Sequence, residues 1–200
     1  MTAQDMIAPG FSDPVFQSQA AFRALLAALS EPGTPHRVAA GITPPEGLSA
    51  AAATVLLTLA DYETPVWLPQ VLRNGPAGAW LRFHCGVALV DEPAEAAFAV
   101  LDGTAAEPRL SAFNLGTDQF PDRSTSVIVQ LPALEGGAAF TLSGPGIADT
   151  RRIAPQGLRS GFLAELRENG ALYPLGVDVV LTHGDGMLGL PRSTQIDEVR

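Results

Sequence analysis

Val177-Asp178-Val179-Val180-Leu181-Thr182-His183-Gly184-Asp185-Gly186-Met187-Leu188-Gly189-Leu190 is the stretch that decides the fold class. Two apolar runs, Val177 to Thr182 and Met187 to Leu190, flank a turn of His183-Gly184-Asp185-Gly186, which predicts an antiparallel hairpin. Upstream, Ser126 to Leu131 and Ala138 to Leu142 predict a second hairpin across Glu135-Gly136-Gly137. Shorter strand-like segments are Val66-Trp67-Leu68, entered from Pro65, and the compact run Phe98 to Leu101. Trp80 to Cys85 alternates, with Leu81, Phe83 and Cys85 on one strand face and Arg82 and His84 on the other.

Helical patterns intervene. Asp13 followed by Pro14 is a helix start, because the carboxylate accepts first-turn amides and proline lacks only an N–H that would be unpaired anyway. Phe22, Leu25, Leu26 and Leu29 form one apolar stripe, and Ser30-Glu31-Pro32-Gly33 stops the helix. After a connection from Gly41 to Gly47, an Ala-rich helix closes near Asp61. Leu158 to Glu168 has helical spacing and ends at Asn169-Gly170. Helices alternating with strands, two of the strand pairs being hairpins, predict an α/β fold with a mixed sheet. The expected organisation is a tail over residues 1–10 and a single domain over 11–200.

All twelve basic side chains are arginine and none is lysine. That excludes a Schiff-base lysine for pyridoxal phosphate and the phosphate-binding lysine of a P-loop. Codon bias of a GC-rich genome accounts for the absence, and the chemical exclusion holds regardless. The net charge of −9 argues against nucleic acid or an anionic membrane as partner. The single Cys85 permits no internal disulfide and no cysteine metal cluster, as expected in a reducing compartment. The first basic residue is Arg23 and no secretory pattern precedes it; the apolar stretch Leu48 to Ala60 is too short to span a bilayer. The expectation is a soluble, cytoplasmic protein.

Reactive constellations are sparse. His36, His84 and His183 stand apart from one another, so no metal-ligand spacing is present and no metal is expected. His183 falls in a turn and is expected to face solvent. Cys85 beside His84 is not a thiol–imidazole couple if both lie on a strand, since neighbours there diverge. Leu142-Ser143-Gly144-Pro145-Gly146 lacks the leading glycine of a nucleophile elbow. The same glycine turn followed by Arg151-Arg152 either holds an anion or is a tight turn whose arginines pair with surface acids. Arg82 and His84 on one strand face form an anion site if that face borders a cleft, and ordinary surface if it does not. Arg192, at a strand end after Leu190-Pro191, is a third candidate ligand contact. No catalytic residue can be assigned.

Several blocks, taken together, resemble one family. They are Gly10-Phe11-Ser12-Asp13-Pro14-Val15, Ser30-Glu31-Pro32-Gly33, Leu56-Leu57-Thr58-Leu59-Ala60-Asp61, Thr64-Pro65-Val66-Trp67-Leu68 and Leu81-Arg82-Phe83-His84. Further on come Leu142-Ser143-Gly144-Pro145-Gly146-Ile147, Ile153-Ala154-Pro155, Tyr173-Pro174-Leu175-Gly176-Val177-Asp178 and Leu190-Pro191-Arg192-Ser193-Thr194. This order, from about Phe11 to Thr194, resembles the PhnH family, a component of the bacterial carbon–phosphorus lyase system. Leu29 departs from an expected methionine and Ser193 from an expected threonine.

The resemblance implies a three-layer α/β/α sandwich with a mixed sheet, similar to the large domain of pyridoxal-phosphate-dependent transferases but without the cofactor. It further implies a homodimer that assembles with subunits G, I and J. That core complex transfers methylphosphonate to the ribose of ATP, giving α-D-ribose 1-methylphosphonate 5-triphosphate. Nucleosidase chemistry is associated there with the I component and the radical iron–sulfur step with the J component, and no catalytic residue carries over from the PhnH family. The expected role is therefore accessory. The alternative is a stand-alone phosphonate- or nucleotide-binding protein or enzyme, with Arg82, His84, Arg152 or Arg192 lining a site at a dimer cleft.

Overall fold

A computed structural model describes residues 7–38, 41–105 and 108–198, so the first six residues of the expected tail lie outside the described residues. The elements are α1 (Pro14–Ser30), β1 (His36–Arg37), α2 (Ala50–Leu59), β2 (Val66–Trp67), α3 (Gln70–Asn74), α4 (Pro76–Cys85), β3 (Leu89–Val90) and β4 (Phe98–Asp102). They continue as β5 (Ser126–Gln130), β6 (Phe140–Ser143), β7 (Arg151–Ile153), α5 (Phe162–Gly170), β8 (Asp178–His183), β9 (Gly186–Leu190) and β10 (Gln195–Glu198). Seven strands form the main sheet in the order β1-β9-β8-β5-β4-β2-β3, and β10-β6-β7 form a second, three-stranded sheet. The chain is α/β with a mixed sheet, as expected. Strands β8, β5, β4, β2 and β3 run parallel, while β9 turns back against β8 and β1 pairs antiparallel with β9.

The expected 177–190 hairpin is present, with Val179 opposite Leu190 and His183 opposite Gly186. Alternation then sorts each buried strand residue to one face. Val66, Val100, Ile128, Val180 and Met187 face a core shared with α1, α2 and α4. Trp67, Leu101, Val129, Leu181 and Leu188 face the other core, closed by Phe162 and Leu166 of α5 and by Phe140, Leu142, Ile153 and Ile196 of the small sheet. The second covering layer is thus part helix and part strand.

Helix starts follow the sequence signals. Asp13 Oδ1 accepts from the Phe16 amide with Pro14 at the first helical position, and Ser49 Oγ accepts from the Ala52 amide at the head of α2. Ala21, Leu25 and Ala28 of α1 point inward. A Cβ on Gly189 of β9 would collide with the Ala28 carbonyl oxygen and lie 2.7 Å from its carbon, so the helix backbone rests directly on the sheet.

Two expectations are overturned. Trp80 to Cys85 is the second half of α4, not a strand. Pro76 opens the helix and Gly86 closes it at φ 68°, and the buried set Ala77, Gly78, Trp80 and Leu81 is a helical stripe. A six-residue alternation matches the strand period by chance, while those flanking signals determine the structure. The hairpin between Ser126 to Leu131 and Ala138 to Leu142 does not form either. β5 lies between parallel β4 and β8, whereas β6 joins the small sheet on the other side of the second core. The unbroken Val-Ile-Val of β5 is the signature of a strand buried on both faces, which no two-strand ribbon requires.

The start of α5 falls later than expected, at Phe162. Ahead of it, Arg159 holds Glu165, which is 6% exposed. Glu165 Oε2 accepts from Arg159 Nη2 and from the Leu110 amide, each at 3.0 Å, and Arg159 Nη1 bonds Oε1. Burial alone would raise the carboxyl pKa. The Arg159 and Leu110 hydrogen bonds, with the charges of Arg159 and Arg109, outweigh it and hold Glu165 below its ordinary value of 4.5. A carboxyl depressed on folding contributes stability that is complete above 4.5 and is lost as pH falls through the lower folded value. Wild type is therefore expected to lose urea resistance steeply in that acid window, and Glu165→Gln to lose less of it there. Parallel slopes for both proteins below pH 4.5 would contradict the assignment.

Candidate functional site

The four residues singled out from sequence are spread over α4 (Arg82 and His84), β7 (Arg152) and the loop after β9 (Arg192), and no hydrogen bond or ion pair joins them. Arg192 is the most constrained. Its Nε donates to Asp178 Oδ1 at 3.1 Å, and its Nη2 to Asp178 Oδ2 at 2.6 Å and to Ser124 Oγ at 2.5 Å. Its Nη1 donates to Pro121 O at 2.7 Å and to Pro174 O at 3.5 Å. A guanidinium has five N–H donors, so every one is engaged within the fold.

Arg152 is exposed on β7, and its guanidinium makes no hydrogen bond or ion pair with a described residue. It borders a shallow cleft of about 430 Å³ with Gly33, Glu135 and Ala154. Its neighbour Arg151 pairs with no carboxylate among the described residues. Arg151 Nη1 donates to Pro32 O at 2.7 Å and Glu31 O at 3.2 Å and also reaches Thr34 Oγ1, closing the carbonyl end of α1.

Because α4 is a helix, Arg82 and His84 do not share a face: two residues apart on a helix they point in very different directions. Arg82 is exposed beside Phe83, and its guanidinium has no hydrogen bond or ion pair among the described residues. His84 turns inward, its Nε2 donating to the Ala8 carbonyl at 2.9 Å, where Trp80 Nε1 also donates at 2.8 Å. Ile7 and Ala8 pack on the core, so this part of the expected tail is anchored. Cys85 packs against the same core, and burial, with the nearby Asp61 charge, pushes its thiol up to about 11. His183 is exposed, as expected.

Open α/β sheets place ligands beyond the carboxyl ends of parallel strands. A cleft of about 610 Å³ lies there, lined by Gly47, Leu72, Asp102, Thr104, Gln130 and Leu131 among others, and no arginine borders it. Its polar groups are engaged already. Asp102 Oδ1 accepts from Thr104 N and Oγ1 at 2.8 and 2.7 Å, and Gln130 bridges the Ser49 amide and the Gly47 carbonyl at 2.6 and 2.9 Å. The α2 amides nearby are likewise taken, Ala51 by Gly184 O and Ala52 by Ser49 Oγ. This cleft carries no ready anion cradle.

The feature that sequence reasoning missed is the outer face of α1. Val15, Phe16, Phe22 and Leu26 are 75%, 71%, 49% and 56% exposed, and Phe83 on α4 is 52% exposed. The stripe read from sequence puts Phe22 and Leu26 on the core side with Leu25; the fold turns them outward instead. A helix apolar on both sides is one that expects a second covering layer. Covering a Phe or Leu side chain gains about 1.5–3 kcal/mol, so this face holds unrealised binding energy. The signal was available in the sequence: between Pro14 and Ser30 only Arg23 carries charge.

Among the described residues, no helix is long and apolar enough to cross a membrane. The model of the family described as bacterial phosphonate metabolism protein (PhnH) matches residues 9–197. A protein of Rhizobium meliloti (strain 1021), named alpha-D-ribose 1-methylphosphonate 5-triphosphate synthase subunit PhnH, is 42% identical over 198 residues, 98% of this chain and 99% of its own length. HtxG of Stutzerimonas stutzeri, assigned by its name to a C-P lyase as one of its subunits, is 30% identical over 184 residues, 90% of this chain and 86% of its own length.

Proposed function

This chain belongs to the PhnH family of bacterial phosphonate metabolism proteins, and from that membership we propose that it is an accessory subunit of a carbon–phosphorus lyase core complex. In that role it supports formation of α-D-ribose 1-methylphosphonate 5-triphosphate from ATP and methylphosphonate without supplying a reacting group. The relatives carry the word subunit in their names, which supports an obligate partnership. The observation that carries the reading is the contrast between surface and interior. A broad apolar helix face stands open, whereas the best-formed cationic contact, Arg192, has all its donors committed to the fold. Such a molecule is suited to assembly rather than to turnover.

We further place it in the cytoplasm, as a homodimer when alone and with subunits G, I and J in the complex. The likeness of its fold to the large domain of pyridoxal-phosphate transferases belongs to the same proposal. Tagged chain co-expressed with the other subunits is expected to retain them through purification, and chain purified alone to show no synthase turnover. Robust turnover by the isolated chain sinks the accessory reading.

A second reading has one observation in its favour: Arg82 and Arg152 keep their guanidinium groups open. In it the chain grips a phosphonate or nucleotide by itself, with Arg82, His84, Arg152 and Arg192 as candidate contacts. Calorimetric titration with ATP and with methylphosphonate separates the two. Heat that disappears in Arg82→Ala or Arg152→Ala favours the stand-alone binder, and silence favours the accessory role.

A further inference from the structure

We propose that the outer face of α1, continued by the exposed end of α4, is the surface that docks a different polypeptide of the complex, one offering an apolar groove edged with carboxylates. The inference rests on the accessory reading above and gives it a location and a chemistry.

Val15, Phe22 and Leu26 recur at intervals of seven and four, which stacks them along one side of α1. Phe16 lies beside them, with Arg23 one heptad further on. The segment leading into α1 lies against the exposed end of α4. The Phe83 ring meets His84 edge-on at 4.9 Å between centroids, His84 holds the Ala8 carbonyl, and a Cβ on Gly10 would touch the same imidazole. From Gly10 the chain runs straight into the Asp13 cap of α1. The result is two apolar patches bridged by the chain from Ala8 to Asp13, with an arginine on each helix, the anatomy of an interface centre with a charged rim.

Charge selects the occupant. This protein has 21 acidic against 12 basic side chains, and Arg37, Arg73, Arg109 and Arg167 each find a carboxylate within the fold. The guanidinium groups of Arg23 and Arg82 make no hydrogen bond or ion pair with any described residue. Two unpaired guanidiniums beside open phenylalanines call for carboxylates from outside. A second copy is a poor source. An isologous contact sets the same patch against itself, arginines included, and the two carboxylates that bound α1 are both engaged, Asp13 capping the helix and Glu31 beside His36 at 3.6 Å. A distinct chain with an acid-edged groove satisfies both the strip and its rim.

The test uses the full-length tagged chain co-expressed with the other subunits, comparing wild type, Phe22→Glu with Leu26→Glu, and Arg23→Glu with Arg82→Glu. Tyr173→Glu, at an exposed aromatic outside this strip, is the control, and unfolding midpoints establish that each variant is folded. The apolar pair is expected to weaken retention of partner subunits by about a hundredfold, and the arginine pair by about tenfold at low salt. Salt is expected to weaken wild-type retention and to leave that of the arginine pair nearly unchanged. Wild-type-like retention by both double variants overturns the proposal. So does retention of partners together with loss of self-association in the apolar pair, which identifies a second copy as the occupant. If wild type retains none of the other polypeptides, the accessory reading itself has failed and this inference goes with it.

Discussion

Gly189→Ala is expected to cost about 3 kcal/mol or more, placing it among the most damaging single methyl groups that can be added to this chain. The new Cβ would overlap the Ala28 carbonyl oxygen and sit 2.7 Å from its carbon and 3.0 Å from Leu29 Cα. These are backbone atoms in the last turns of α1, so no rotamer change relieves the collision. Either β9 bends out of its ladder with β8 or the helix lifts, drawing Leu25 and Ala28 from the core. The urea midpoint is the measurement. Ala28→Gly added to Gly189→Ala is expected to give no rescue, because the side chain of residue 28 is not the obstacle. A midpoint within error of wild type would show that α1 does not rest directly on β9.

Asp178→Ala is expected to destabilise the fold by about 3 kcal/mol, the low end for breaking a buried ion pair. Arg192 is 13% and Asp178 28% exposed, so the pair is well shielded without being sealed. Removing the carboxylate leaves two guanidinium donors and the Arg192 amide without their acceptor. Arg192→Met in the same background is expected to recover part of the loss, since it removes the stranded charge while keeping the aliphatic stem. Chemical denaturation of the three variants decides the matter. A loss below about 1 kcal/mol for Asp178→Ala would rank the pair with ordinary surface ion pairs.

The 177–190 hairpin and the Asp13-Pro14 start of α1 are legible because each is written in local signals: turn residues between apolar runs, and a capping carboxylate before a proline. α4 misleads because its strand-like alternation spans only six residues, and the helix stop at Gly86 lies just past it. The pairing of β5 misleads because its true partners are distant in sequence, whereas the supposed partner is near. A short glycine turn does not oblige two strands to meet. At the candidate site the same division holds. Sequence points to Arg192 as a cation at a strand end, but its saturation depends on Ser124, Pro121, Pro174 and Asp178, which only the fold assembles. The stripe of α1 is visible in sequence, yet which side meets the core is not. Ala21, Leu25 and Ala28 face inward there, and the helix backbone comes closest to the sheet at Ala28, over Gly189.

The outermost strands of the main sheet, β1 and β3, are two residues each. A border that short provides almost no free amide and carbonyl row on which another polypeptide's backbone might continue the ladder. Strand-by-strand growth from the main sheet, whether into domain-swapped forms or fibrils, is correspondingly disfavoured. At those borders sociability is left to side chains, which discriminate between neighbours where peptide groups do not.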